Sequence, residues 1–137
     1  MNKKRFFYGT VAALMTMAAF TSCNDEDSIK KGNLSGTTWV RQVSDKSSVL
    51  ERNETFTIKF TSKKEGTFSH TGSSKVYSYS DKKWKTTNYN DNDKFTYLYA
   101  DEIKDGYWEY ASGNKVIFSI SSDNQTLSAS GANYTKK

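Results

Sequence analysis

Apolar and polar residues alternate along short stretches of this chain, and long helical periodicity is hard to find. The clearest alternation runs from Glu54 to Phe60. Phe56, Ile58 and Phe60 fall on one face there, and Thr55, Thr57 and Lys59 on the other. A period of two marks a strand with one buried and one wet face. The same reading predicts strands at Thr37–Val43, Thr67–Thr71, Lys75–Ser80, Lys82–Tyr89 and Lys94–Ala100, then at Gly106–Ala111, Lys115–Ser121 and Gln125–Ser130, with a short closing piece around Tyr134. Polar and glycine-bearing stretches between them predict turns, among them Lys63–Gly66, Gly72–Ser74, Asn90–Asp93 and Ser112–Asn114.

Strand positions recurring about every 10–12 residues fit an all-β, antiparallel barrel or sandwich. A small closed β-barrel of about eight strands is preferred, because no strand reads as a protected edge and closure removes edges. An immunoglobulin-like sandwich fits the same spacing. Trp39, Phe56, Phe60, Phe68, Phe95, Val116, Phe118 and Leu127 are the expected core. Tyr77, Tyr79, Tyr97, Tyr99, Tyr107, Trp108 and Tyr110 are candidates to line a ligand pocket, since an aromatic ring with a polar tip suits amphipathic ligands and sugars. Packing is the competing role for the same residues, because a small domain needs its aromatics for stability.

Composition narrows the chemistry. The 137 residues suit one domain, and 15% aromatic residues argue against a wholly disordered chain. One cysteine, Cys23, allows no internal disulfide and no thiolate metal cage. One histidine, His70, excludes mechanisms that need two imidazoles. The net charge of +5 is partly a property of the N-terminus. Lys3, Lys4 and Arg5 precede an apolar stretch from Phe6 to Phe20, the layout of an export signal over residues 1–22. Without that signal the net charge is +2, and a strong nucleic-acid reading fails.

Phe20-Thr21-Ser22-Cys23 resembles a bacterial lipobox, with Phe in place of the usual Leu, as is familiar in Bacteroidota lipoproteins. The resemblance implies lipidation of Cys23 and a membrane partner reached through that lipid. Asn24-Asp25-Glu26-Asp27 resembles the surface-export signal of the same lipoproteins, which implies an outer-membrane protein facing the cell exterior. Asp27-Ser28-Ile29 resembles the O-glycosylation motif of that phylum, with Ser28 the acceptor. Residues 23–34 are expected to be a lipid-anchored flexible tether, and 35–137 the folded domain. Leu34-Ser35-Gly36-Thr37-Thr38-Trp39 resembles the opening of bacterial lipocalin-like lipoprotein domains. Gly106 to Ser119, followed by Leu127, is similar to that family's closing hairpins. The resemblance implies an eight-stranded barrel with one internal cavity. Two departures stand out: two residues separate Gly36 from Trp39, and the chain has no C-terminal Arg to pack against that Trp.

Catalytic constellations are thin. His70 shares a predicted face with Phe68, no nucleophile elbow is present, and a satisfied or half-exposed strand histidine is the simpler account. The Asp101, Glu102, Asp105 and Glu51, Glu54 groups read as solvated turn charges. Asn90 to Asp93 offers calcium-type oxygens without the Gly and distant Glu of a calcium loop. The expectation is therefore a non-enzymatic barrel without cofactor or metal, binding a small hydrophobic molecule or a glycan. The alternative is a protein-interaction module with a filled core.

Overall fold

The computed structural model describes residues 32–137. The export signal, Cys23, the acidic run and Ser28 lie outside the described residues. The domain is an all-β, eight-stranded antiparallel closed barrel in simple meander order. Its strands are β1 (Thr38–Lys46), β2 (Leu50–Phe60), β3 (Glu65–Ser78), β4 (Lys83–Ala100), β5 (Asp105–Tyr110), β6 (Lys115–Ile120), β7 (Thr126–Ala129) and β8 (Ala132–Lys136). The architecture is consistent with a lipocalin-like fold.

Strand length divides the molecule in two. The first four strands have 9 to 18 residues, whereas the last four have 4 to 6. Four short strands can close only one end of four long ones. β4 pairs with β5 from Phe95 to Ala100, so among the described residues Lys83 to Lys94 has β3 alone as a ladder partner. β1 meets β8 only at Trp39 and Val40, plus a hydrogen bond from the Lys137 N–H to the Thr38 carbonyl. Beyond those points β1 to β4 continue as an open four-stranded sheet, here called the flare. Its two margins are Arg41 to Lys46 on β1 and Lys83 to Lys94 on β4.

The closed end is filled by side chains. Trp39, Ile58, Phe60, Phe95, Tyr97, Tyr99, Trp108, Phe118, Leu127 and Tyr134 form one buried cluster. Phe56, Phe68 and Val116 pack against it from partly buried positions. Ring pairs tie the cluster together: Phe60 and Tyr97 meet edge-on at 4.6 Å, Phe95 and Trp108 stack at 5.1 Å. Gly66, opposite Phe95 on the next strand, makes room for that ring, because a Cβ there would strike it. Leu34 is buried in the same cluster, and the Gly32 N–H donates to the Tyr99 carbonyl at 2.7 Å. The barrel's packing thus begins inside the stretch read from sequence as tether.

Two expected turns are strand instead. Gly72-Ser73-Ser74 lies within β3, where Gly72 has φ of 115° and faces Glu54. A Cβ at Gly72 would collide with the Asn53 carbonyl oxygen, so the glycine serves close strand approach rather than a reversal. Asn90 to Asp93 lies within β4, its polar side chains standing on an exposed margin that needs no apolar residues. Glu51 and Glu54 are likewise within β2, not in a turn. The Gly36 and Trp39 spacing is resolved by a turn: Gly36 takes φ of 85° before β1 starts, and Trp39 points inward. Lys136 Nζ lies 5.8 Å from the centre of the Trp39 ring, a cation over an aromatic face.

Candidate functional site

Cross-strand register carries the barrel's inner face up into the flare. Trp39, Ile58, Phe68 and Asp93 form one row of directly opposed residues. The next row is Arg41, Phe56, His70 and Asp91, and the one after it Val43, Glu54, Gly72 and Tyr89. Opposed residues share a face, so these rows stack above the packed interior. Within them the chemistry changes from hydrocarbon to rings carrying charge.

Three rings form a ladder across the sheet. Phe56 stacks on His70 at 4.3 Å between centres, and His70 on Tyr89 at 4.2 Å. The Arg41 guanidinium lies 5.7 Å from the Phe56 ring centre, closing one end. Phe56, His70, Tyr89 and Arg41 are all half-buried. Gly72, lacking a side chain, sits between Glu54 and Tyr89 in the register.

Glu54 anchors the ladder. Its residue exposure is 4%, and it is the one buried charged residue among those described. Arg52 Nε donates to Glu54 Oε2 at 2.7 Å, and His70 Nε2 lies 2.7 Å from Oε1. The Arg52 hydrogen bond holds the Glu54 carboxyl below the usual carboxylate range; burial opposes it, and the His70 contact adds to it. An ionised carboxylate only accepts. His70 Nε2 therefore carries the proton, and Nδ1 faces Asp91 Oδ2 at 3.7 Å. The Ser74 and Tyr89 hydroxyls hydrogen-bond one another at 3.1 Å. Among the described residues His70 hydrogen-bonds no serine or threonine, so the imidazole is braced by an acid without a nucleophile beside it.

The seven aromatic candidates do not converge. Tyr97, Tyr99 and Trp108 are buried in the closed end. The Tyr97 hydroxyl donates to the Ser62 carbonyl at 2.7 Å, and burial pushes the Tyr99 phenol up to about 12. Trp108 Nε1 is buried without a hydrogen-bond partner among the described residues, and burial raises the Tyr110 phenol, an effect the nearby Trp108 partly offsets. Tyr110 is half-buried and walls two adjoining clefts of about 530 and 430 Å³, which also share Lys94 and Ala111. Tyr107 stands on the outer wall under Lys115. Tyr77 and Tyr79 are at the far end of the β3–β4 hairpin, edge-on to each other at 5.2 Å, with Tyr77 edge-on to Trp84 at 5.6 Å. Tyr79 is 74% exposed and Trp84 42%.

Sequence reading passed over Arg41, Arg52, Glu54 and Tyr89 as members of one site. A signal existed: Arg52, Glu54, Phe56, Ile58 and Phe60 occupy every second position, so one strand face begins polar and becomes apolar. In comparisons with known proteins, no family model, no curated protein and no solved structure matches the chain.

Proposed function

We propose that this chain is a lipid-anchored, non-enzymatic binding module of the Bacteroidota lipocalin-like type, held in the outer membrane through Cys23 and facing the cell exterior. Its partner on this reading is a small amphipathic molecule or a glycan, taken up on the inner face of the flare. One observation carries the reading: half-buried rings and fixed charges around Glu54 continue the same face that is solid hydrocarbon below. Stacked rings offer apolar area, while Arg41, Arg52 and Asp91 offer hydrogen bonds at its margin, the mixture that suits a sugar ring. The acid–imidazole pair has no nucleophile to activate, which favours binding over turnover.

The test is calorimetric titration of the purified full chain with oligosaccharides, fatty acids and haem-like compounds. One class should bind saturably, and Tyr89→Ala should weaken that binding at least about tenfold by removing the ladder's outer ring. Saturable binding untouched by both Tyr89→Ala and Arg41→Ala, or none with any class, overturns the reading. Anchoring has its own test: Cys23→Ser should move the protein out of the membrane fraction, and protease added to intact cells should digest the natural form. Full protection until lysis places the domain on the inner side instead.

A protein-interaction module is the second reading, favoured by the exposed cluster of Tyr77, Tyr79 and Trp84. Lysine cross-linking on whole cells separates the two. Partner proteins joined through Lys75, Lys82 or Lys83, and not through Lys115 or Lys136, would support it.

A further inference from the structure

We infer that two copies of this chain pair through the free margin of β4, antiparallel, with a two-fold axis at Asn88. From Lys83 to Lys94 this strand has, among the described residues, a ladder partner on one side only, and every residue there except Tyr89 is exposed. A margin of that length presents a row of N–H and C=O groups able to take another strand. Its charges are sorted along the strand rather than mixed. Lys83 and Lys85 stand at the start, Asp91 and Asp93 near the end just before Lys94, and uncharged residues between Lys85 and Asp91. Scattered lysines would suffice to repel other strands, whereas a strand basic at one end and acidic at the other complements itself when reversed.

The register follows from parity. In a regular antiparallel pair, opposed residues share a face, so a two-fold axis between identical strands passes through one residue position. With the axis at Asn88, Lys85 opposes Asp91 of the second copy and Lys83 opposes Asp93, each pair occurring twice by symmetry. All four positions belong to the face that carries Tyr89. Moving the axis to Thr87 keeps only Lys83 with Asp91, and moving it to Tyr89 keeps only Lys85 with Asp93. In the Asn88 register Lys94 would meet Lys82, a like-charged pair at the limit of the ladder, where Lys82 lies in the turn before β4 and is free to turn away. Existing contacts do not block the exchange. Lys85 pairs with Asp81 at 2.6 Å and Asp91 stands 3.7 Å from His70, and both side chains remain mostly exposed.

Pairing in this register sets the two ring ladders side by side on one face of a continuous sheet. It places the end of each β3–β4 hairpin beside the other copy's cleft bounded by Phe68, Asp93, Lys94, Tyr110 and Asn114. The inference does not depend on the lipid anchor or on the ligand, so a failed ligand titration leaves it standing.

The test uses the full chain, with Cys23 as its sole natural thiol. Asn88→Cys should give a disulfide-linked dimer on mild oxidation in intact cells, and Ser44→Cys on the β1 margin should not. In detergent solution the natural chain should sediment as a dimer. Lys85→Asp and Asp91→Lys should each weaken it at least about tenfold, because each replaces two attractive pairs by two repulsive ones. Lys85→Asp combined with Asp91→Lys should restore it, since the swapped charges again oppose. Circular dichroism and a cooperative melt confirm that each variant folds. A monomer at about 100 µM, equal cross-linking from Ser44→Cys, or single losses without rescue in the double variant overturns the inference. So does a monomer in which Asn88 is shielded by the chain's own N-terminal segment.

Discussion

The closed end and the flare are built from the same four strands and the same face, yet they hold opposite contents. At the closed end β5 to β8 supply the opposite wall, and large rings fill the space between to near exclusion of water. In the flare no described strand supplies that wall, and the same face carries Arg41, Arg52, Glu54, His70 and Asp91. Side-chain character follows the presence of a facing wall, not strand identity. β2 shows this within one element, passing from Arg52 and Glu54 to Ile58 and Phe60 over a few alternate positions.

Breaking the closed end should cost most. Phe118 is 1% exposed and touches Phe60, Tyr99 and Trp108, so Phe118→Ala is expected to lose about 3–5 kcal/mol in denaturant unfolding. Trp108→Phe sharpens the point. It removes volume but also a buried donor with no partner, so its loss should stay below about 1.5 kcal/mol.

The flare should be softer, and its response should depend on pH. Glu54→Ala leaves Arg52 and His70 without their acceptor and is expected to cost about 1.5–3 kcal/mol at neutral pH. Because the folded Glu54 carboxyl is held below its ordinary pKa of 4.5, its contribution is present above that value. It is lost as pH falls through the lower, folded value. Melting temperatures of the natural chain should therefore drop more steeply below about pH 4.5 than those of Glu54→Gln. Parallel curves would detach Glu54 from flare stability.

The smallest effect belongs to the hairpin end. Trp84 rests edge-on against Tyr77 and stays 42% exposed at the hairpin end, so Trp84→Ala should change stability by less than about 1 kcal/mol. A larger loss would mean that the exposed rings are structural.

The sequence was most legible where burial imposed alternation. Phe56, Ile58 and Phe60, the β5–β6 hairpin around Ser112 to Asn114, and closure into eight antiparallel strands follow from that pattern. It failed where burial stops. Along Lys83 to Lys94 nothing enforces a period, so a polar run reads as a turn although it is continuous strand. Gly72 misled for another reason, since its missing side chain serves the approach of β2, which local sequence does not display. The cluster around Glu54 needed a register between Glu54 and His70, 16 residues apart, that only the assembled sheet supplies.

The narrow seam between β1 and β8 bears on the order of events during folding. Every other ladder joins strands consecutive in the chain, so seven hairpins can form by short loop closures, each templated by the one before. The seam alone requires the two ends of the domain to meet, and it offers Trp39 and Val40 against Lys136 and Thr135 plus the one hydrogen bond from Lys137 to Thr38. Loop-closure entropy therefore predicts it to be the last ladder to form. Trp39, with Lys136 over its ring, is the latch that turns a curled ribbon into a tube.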